Sequence, residues 1–362
     1  MAQPARTGIP EHPYWLTHWQ IIMAEVGLTA TSSAIPHSSP KIWLLTNDAV
    51  GLRNQAIGLA EHIGWPFELK LVNLTKPWRW LPGHWLPRAH TKLTPESSPL
   101  QAPWPDMIIS CGRLGAAAAL GVKRATGGQV FTVHIQNPQM PHHLVDLIAP
   151  PRHDGLSGPN VINTRGALHH VTPEKIARAI AEQTSQHPDL PRIKQNQRVI
   201  GVLIGGSNAT AILTPDKSRQ LIALLITAAS AQNAHLWITA SRRTGNENIA
   251  AMRDAIGDSS HWFWDNTGEN PYHAILGMAD YLIVTGDSVS MVSEAASTGK
   301  PVYTLDFDGY SGRLNDFHRS LREEGVTRPF QGELAVWAYE PVNDTPQIAT
   351  LIRERFHHQG HV

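Results

Sequence analysis

Several polar residues in the second half of this 362-residue chain have side chains or turns suited to a phosphate-bearing ligand. They follow short apolar runs of the kind expected for strands buried in a parallel sheet. Glycine turns expose backbone amides, and arginine side chains match phosphate oxygens bidentately. The residues that we select as substrate-binding candidates are Gly205, Gly206, Ser207, Asn208, Ser241, Arg242, Arg243, Asp287, Ser288, Ser290 and Glu294.

The segment 284–303 carries the strongest of these signals because it has the pattern of a strand, a turn, a helix and a second strand. Ser288 is suited to cap the helix, whose free N–H groups would favour an anion. Gly299 and Pro301 supply its C-terminal stop. Glu294 lies about two turns into the helix, where its carboxylate could accept the hydroxyls of a ribose.

The first half offers weaker candidates. Asn54 follows a predicted strand and turn, and Arg113 lies near a predicted helix N-terminus, where a cation opposes the helix dipole. A bound anion would explain Arg113, and so would a solvated side chain. Asp48 and His134 are the candidate catalytic bases, with Asp154 as a third possibility.

Alternating strand and helix patterns predict an α/β protein with two Rossmann-like, doubly wound domains that face a central cleft. We expect a poorly ordered extension over 1–40, a first domain over 41–185 and a linker over 186–197. A nucleotide-binding domain would follow over 198–310, and helices in 311–362 would pack back towards the first domain. In open parallel sheets the ligand is expected at the carboxyl edges of the strands.

Composition limits the classes of function. Lys and Arg total 30 and Asp and Glu total 30, so no overall field favours nucleic acid. One cysteine excludes an internal disulfide and a multi-cysteine zinc site, and no histidine spacing predicts a metal. We expect a cytoplasmic protein. The Trp/Pro loop, residues 77–104, is either a rigid loop packed on its own domain or a surface in peripheral contact with the inner membrane.

Six motifs together resemble the Elm-type mitochondrial fission family of bacteria and plants, over roughly 41–330. They lie at 54–59, 110–113, 204–208, 239–244, 270–272 and 285–295, and the last is the most specific. The first loop departs from the family pattern, with Ala49 and Val50 where a glycine is expected and Arg53 where an acidic residue is common. That departure argues against transferring an acceptor-side role to this loop.

The resemblance implies the two-domain GT-B glycosyltransferase architecture, with a nucleotide-sugar in the second domain and an acceptor in the first. By position, Glu294 would bind ribose, Arg242 and Arg243 the diphosphate, and Ser288 and Ser290 the distal phosphate or the sugar. The implied activity is metal-independent glycosyl transfer to an unknown acceptor, such as an envelope saccharide or lipid, with no cofactor beyond the nucleoside-diphosphate-sugar substrate. Two alternatives stay open: a scaffold that recruits another protein, and a nucleotide-sugar epimerase.

Overall fold

The computed structural model describes residues 39–187, 190–191, 193–194, 196–207, 212–264, 268–306, 312–358 and 360. The expected extension therefore falls almost entirely outside the described residues, as do Asn208 and parts of the expected linker. No helix in these ranges is long and apolar enough to cross a membrane.

The first half is built on a five-stranded sheet with the order β2-β1-β3-β4-β5, and every adjacent pair of strands is parallel. All the residues of β1, β3, β4 and β5 are buried, as expected for a sheet covered on both faces. Its elements are β1 Ile42–Thr46, α1 Val50–Ile63, β2 Phe67–Leu71, β3 Met107–Cys111, α2 Arg113–Ala125, β4 Phe131–Ile135 and β5 Leu147–Ala149. The Trp/Pro loop lies between β2 and β3 and holds three short 3₁₀ turns, Trp78–Trp80, Gly83–Trp85 and Ala89–Thr91.

The second half is built on a six-stranded sheet with the order β11-β10-β9-β6-β7-β8, again with parallel pairs throughout. Its elements are α3 Pro173–Gln186, β6 Arg198–Ile204, α4 Pro215–Ala231, β7 Ala234–Ala240, α5 Asn246–Ile256, β8 Trp262–Phe263, α6 Tyr272–Met278, β9 Tyr281–Thr285, α7 Val289–Ala296, β10 Val302–Leu305, α8 Gly312–Glu323 and β11 Thr327–Pro329. The expectation of two doubly wound halves is confirmed.

The strand order determines where each half can hold a ligand. In the second sheet the chain runs outward from β6 to β7 and β8, and then returns to the opposite side of β6 with β9. The crevice between the carboxyl ends of β6 and β9 is therefore a topological switch point, the usual ligand position in such sheets. In the first sheet the corresponding point lies between β1 and β3.

Two elements, α3 and β11, lie in a different half from the one expected from the sequence. Helix α3 packs on α6 of the second half, where Ile176 and Ile180 meet Gly277. Strand β11 pairs with β10, so the second half continues past residue 310. Helix α9, Thr345–His358, packs on the first half, where the ring of Phe356 lies 5.8 Å from that of Phe131. Long-range apolar burial decides these placements, and local periodicity does not encode it.

Candidate functional site

A cavity of about 350 Å³ lies between the two halves at the carboxyl edges of their strands. The first half contributes α1 and the segments after β4 and β5, and the second half contributes the first turns of α7 and α8. Its lining residues are Gln55, Gln136, Asn137, Gln139, Pro151, His153, Asp154, Ala167, Val289, Ser290, Arg313 and Leu314. The lining is rich in side-chain amides, which both donate and accept hydrogen bonds.

A short chain of hydrogen bonds links the two walls of this cavity. Gln136 donates from Nε2 to Oε1 of Gln55 over 3.3 Å, and Gln55 donates from Nε2 to Oγ of Ser290 over 3.5 Å. A methyl group on Gly51 would lie 3.3 Å from the same Ser290 oxygen, so the N-terminal turns of α1 and α7 approach closely. The cavity is therefore bounded by one helix N-terminus from each half.

Two of the amide residues have unusual backbones. Gln136 has a φ of 76° and Gln139 a φ of 54°, in the left-handed region that glycine normally occupies. Such a conformation costs on the order of 1–3 kcal/mol per residue and clusters at functional sites. Both of these strained residues lie in the segment that follows β4 and lines the cavity.

Asp154 is the one carboxylate among the residues that line the cavity. Its side chain is 10% exposed and accepts from Nη1 of Arg313 over 3.1 Å, an ion pair between the two halves. Beside it, burial lowers the pKa of His153, although the charge of Asp154 opposes that shift. The site therefore combines a carboxylate with an imidazole that is neutral at pH 7.

The glycine turn that the sequence assigned to phosphate is filled by a carboxylate of the chain itself. The Asp287 side chain is fully buried and accepts from the Gly206 amide at 3.1 Å, the Thr285 hydroxyl at 2.7 Å and the Arg243 guanidinium at 2.7 Å. The Gly205 amide donates to the Thr285 hydroxyl at 2.6 Å. Both glycine amides thus have internal partners, and these contacts give Asp287 a structural role, while ligand binding by Asp287 stays a prediction.

The remaining polar candidates near this turn also have structural partners. Ser241 donates to the Gly205 carbonyl at 2.8 Å, and Oγ of Ser207 accepts from the Leu213 amide at 3.0 Å. Ser288 caps α7 by accepting from the Met291 amide, as predicted from its position. Arg242 is exposed. Ser290 is the candidate of this half that lines the cavity.

Glu294 is 5% exposed and accepts from the Tyr272 hydroxyl at 2.5 Å. Burial raises the pKa of Glu294 to about 7, and the hydrogen bond from Tyr272 opposes that shift. Burial, with the Glu294 charge, holds the pKa of Tyr272 well above its usual value. The carboxyl group does not line the cavity, so ribose binding by Glu294 stays a prediction.

Of the three candidate bases, Asp154 lines the cavity, whereas Asp48 and His134 are not among its lining residues. Asp48 is exposed and pairs with Arg53 at 3.4 Å. His134 is fully buried, with Nδ1 2.8 Å from the Ser110 hydroxyl, and burial lowers its pKa to about 3. Its imidazole is therefore neutral at pH 7, and a catalytic role for His134 stays a prediction.

Arg113 and Asn54 are also not among the residues that line the cavity. Arg113 donates to the backbone carbonyls of Arg79 and Leu81 in the Trp/Pro loop, so these carbonyls take the place of the expected anion. Asn54 is half-buried on α1, and its neighbour Gln55 is the residue that lines the cavity.

Sequence reasoning missed most of the first-half wall. Gln136, Asn137 and Gln139 directly follow β4, so the same rule of polar residues at strand ends could have identified them. Nothing local marked Arg313 as the partner of Asp154, because the two residues lie 159 positions apart.

One solved structure with a comparable fold is UDP-GlcNAc 2-epimerase from Methanocaldococcus jannaschii. The TM-score is 0.53 at 10% sequence identity, and the match covers 88% of this chain and 99% of that one. At this identity the likeness shows the fold alone. It agrees with the two facing parallel-sheet halves described above.

Sequence comparison identifies closer relatives. The mitochondrial fission protein ELM1 of Arabidopsis thaliana is 30% identical over 283 residues, covering 71% of this chain but only 65% of that protein. An uncharacterized protein of Rickettsia prowazekii is 27% identical over 361 residues, covering 86% of this chain and 97% of that protein. The family model described as mitochondrial fission ELM1 matches residues 50–356. That match includes every residue that lines the cavity and most of both halves, and the chain belongs to the mitochondrial fission ELM1 family.

Proposed function

We propose that this protein is a nucleotide-sugar-dependent glycosyltransferase that holds the transferred sugar in the cavity between its halves. The observation that carries the proposal is the cavity lining, in which amide side chains from α1 and from the segment after β4 face the first turn of α7. Amides that donate and accept together match the hydroxyl groups of a sugar. A volume of about 350 Å³ lies at the lower end of small-molecule sites and suits a monosaccharide.

The diphosphate of the donor would lie at the N-terminus of α7, next to Ser290. Free N–H groups and the helix dipole favour an anion there. The neighbouring switch point between β6 and β9 is the expected place for the nucleoside. Arg242 is exposed close to this edge and is the proposed cation for the diphosphate, whereas Arg243 is already paired with Asp287.

Asp154 is the proposed base. An acceptor hydroxyl would attack the anomeric carbon while Asp154 takes its proton. The bond from that carbon to the diphosphate oxygen breaks, and the nucleoside diphosphate leaves with the electron pair. The side chain of Arg313 would keep Asp154 directed at the cavity.

Binding and turnover test this proposal in two steps. A thermal-shift screen of UDP-, GDP-, CMP- and dTDP-sugars with the full chain should find at least one donor that binds. Gln136→Ala should lower the affinity for that donor about tenfold or more, because it removes a positioned hydrogen-bonding group. Asp154→Asn should leave donor affinity within about twofold and lower the rate of donor hydrolysis or transfer by about 100-fold. Asp216→Asn is the matched control, because Asp216 forms an exposed surface pair with Arg219 on α4.

Each alternative has its own outcome. No shift with any donor would rule out the nucleotide-sugar site. Binding without turnover on any acceptor extract would favour the recruiting scaffold. Conversion of the bound sugar into its epimer, seen by NMR of the product, would favour the epimerase.

A further inference from the structure

The Trp/Pro loop carries two exposed tryptophans, five positions apart in the chain. Trp80 is 66% exposed and Trp85 is 67% exposed, whereas large apolar side chains are normally covered. Four other apolar residues of the loop point inward, where Leu86 and Ala89 are buried and Trp78 and Leu81 pack against the same cluster. The loop thus has its own small core, and the two exposed rings are not part of it.

Two arginines of α2 hold the turns that carry these rings. Arg113 donates to the carbonyls of residues 79 and 81, on either side of Trp80. Arg124 donates to the carbonyls of residues 84 and 86, on either side of Trp85, at 3.0 and 3.1 Å. Bonds from a charged donor are stronger than those between neutral groups. Each exposed tryptophan therefore lies at the centre of a turn fixed by one guanidinium.

The two arginines share one face of α2. They are 11 positions apart, which is about three helical turns, or roughly 16 Å along the axis. Between them the loop lies directly on the helix, since a methyl group on Gly83 would come 2.6 Å from Cβ of Ala117 and one on Gly121 would come 2.6 Å from the His90 amide nitrogen. The two tryptophans therefore belong to a segment that is packed closely against α2.

The segment around these rings is basic. Residues 75–95 include Lys76, Arg79, Arg88 and Lys92, all exposed, and contain no aspartate or glutamate, and Glu96 is the one acidic residue of the Trp/Pro loop. The whole chain has a net charge of zero, so the local excess of cations is a property of this surface. Tryptophan side chains favour the interface between lipid headgroups and acyl chains, and cations beside them attract anionic headgroups.

We propose that the Trp/Pro loop docks this protein on a membrane surface containing anionic phospholipid. Trp80 and Trp85 enter the headgroup region, and the four cations contact lipid phosphates around them. The docking goes beyond the proposed activity and needs no nucleotide, so vesicle binding can fail or succeed independently of donor binding.

Co-sedimentation of the full chain with vesicles tests the proposal. The protein should pellet with vesicles of phosphatidylcholine mixed with phosphatidylglycerol, and much less with phosphatidylcholine alone. The double variant Trp80→Ala, Trp85→Ala should lower the partition coefficient at least tenfold. The double variant Arg79→Ser, Arg88→Ser should lower the partition coefficient by more than tenfold, at about fivefold per cation. Raising the salt concentration should also lower the partition coefficient.

Matched controls remove comparable groups elsewhere on the surface. Ile212 and Val336 are 62% and 75% exposed, so Ile212→Ala with Val336→Ala removes two exposed apolar side chains. Arg219 and Arg319 are 52% and 59% exposed, so Arg219→Ser with Arg319→Ser removes two surface cations. Both controls should bind within about twofold of the unaltered protein. Failure of the protein to pellet with anionic vesicles would overturn the proposal. Equal binding by the loop variants and the controls would also overturn it. Either result would favour a protein partner for the Trp/Pro loop.

Discussion

Gln55 and Ser290 lie 235 positions apart in the chain, yet Nε2 of Gln55 is 3.5 Å from Oγ of Ser290. The same Gln55 accepts from Gln136, so one amide joins three segments of the cavity wall. This contact ties the second turn of α1 to the first turn of α7, so the site is formed by both halves.

Gln55→Leu should weaken donor binding about tenfold or more, because it leaves the Gln136 amide and the Ser290 hydroxyl without their partner. Thermal stability should change little, since these groups line an open, polar cavity. Isothermal titration with the donor found in the screen measures the first effect, and calorimetry the second. Gln197→Leu, which removes a half-buried amide that contacts only the Lys194 backbone in the described residues, should leave affinity unchanged. Equal affinity for the unaltered protein and Gln55→Leu would contradict the site.

Asp287 should matter for stability more than for ligand binding. Asp287→Ala leaves the Gly206 amide and the Thr285 hydroxyl without an acceptor and Arg243 without its partner. We expect a loss of about 2–4 kcal/mol in the free energy of unfolding, measured by urea titration. Asp316→Ala removes only a surface pair and should cost less than about 1 kcal/mol.

The adjacent residues Arg242 and Arg243 should have different roles. Arg243 should stabilise the fold, and Arg242 should bind the diphosphate. Arg243→Met should lower the free energy of unfolding, because it leaves the buried Asp287 carboxylate without its cation. Arg242→Met should not lower it, because Arg242 is exposed. If both variants lost nucleoside diphosphate affinity equally at unchanged stability, the structural assignment of Arg243 would be wrong.

Glu294 should make the protein less stable as pH rises. Its pKa is about 7 in the folded state and near 4.5 when unfolded, so the folded protein holds this proton more tightly. The stabilisation is fully present below about pH 4.5 and is lost as pH rises through 7, by up to about 3 kcal/mol. Glu294→Gln should remove this component, so its stability relative to the unaltered protein should rise between pH 4.5 and 8.

Denaturant midpoints for both proteins across this pH range give the comparison. Buried His134, His169 and His170 have lowered pKa values and act in the opposite direction, losing stability as pH falls below about 6.5. These residues are common to both proteins, so the difference between the two curves isolates Glu294. A difference that does not vary with pH would show that Glu294 is ionised in the fold.

Gly58 should not tolerate alanine, although alanine favours helices. A methyl group there would collide with the His169 carbonyl, which belongs to the backbone joining the two halves. We expect Gly58→Ala to cost about 2 kcal/mol or more in the free energy of unfolding. Gly277→Ala is the control, because the obstacle there is the side chains of Ile176 and Ile180, which can move, and its cost should be smaller. A stabilised Gly58→Ala protein would show that the segment around His169 can shift.

The sequence alone determined the local structure. Apolar runs followed by glycine or serine turns predict buried parallel strands, and a serine before an apolar helix predicts a cap, because these signals act between residues within a few positions of each other. The alternation of strands and helices predicted two doubly wound halves, and the segment 285–295 pointed to the family; the structure and the comparisons confirm both.

Only the tertiary structure decided which polar groups meet. The sequence could not show that Asp287 fills its own glycine turn, that Arg113 holds a distant loop or that Asp154 pairs with Arg313 across the cleft. The same residue types suit a ligand and an internal partner equally well. Packing of the sheets and of α9 brings these groups within hydrogen-bond distance, and that packing depends on apolar contacts far apart in the chain.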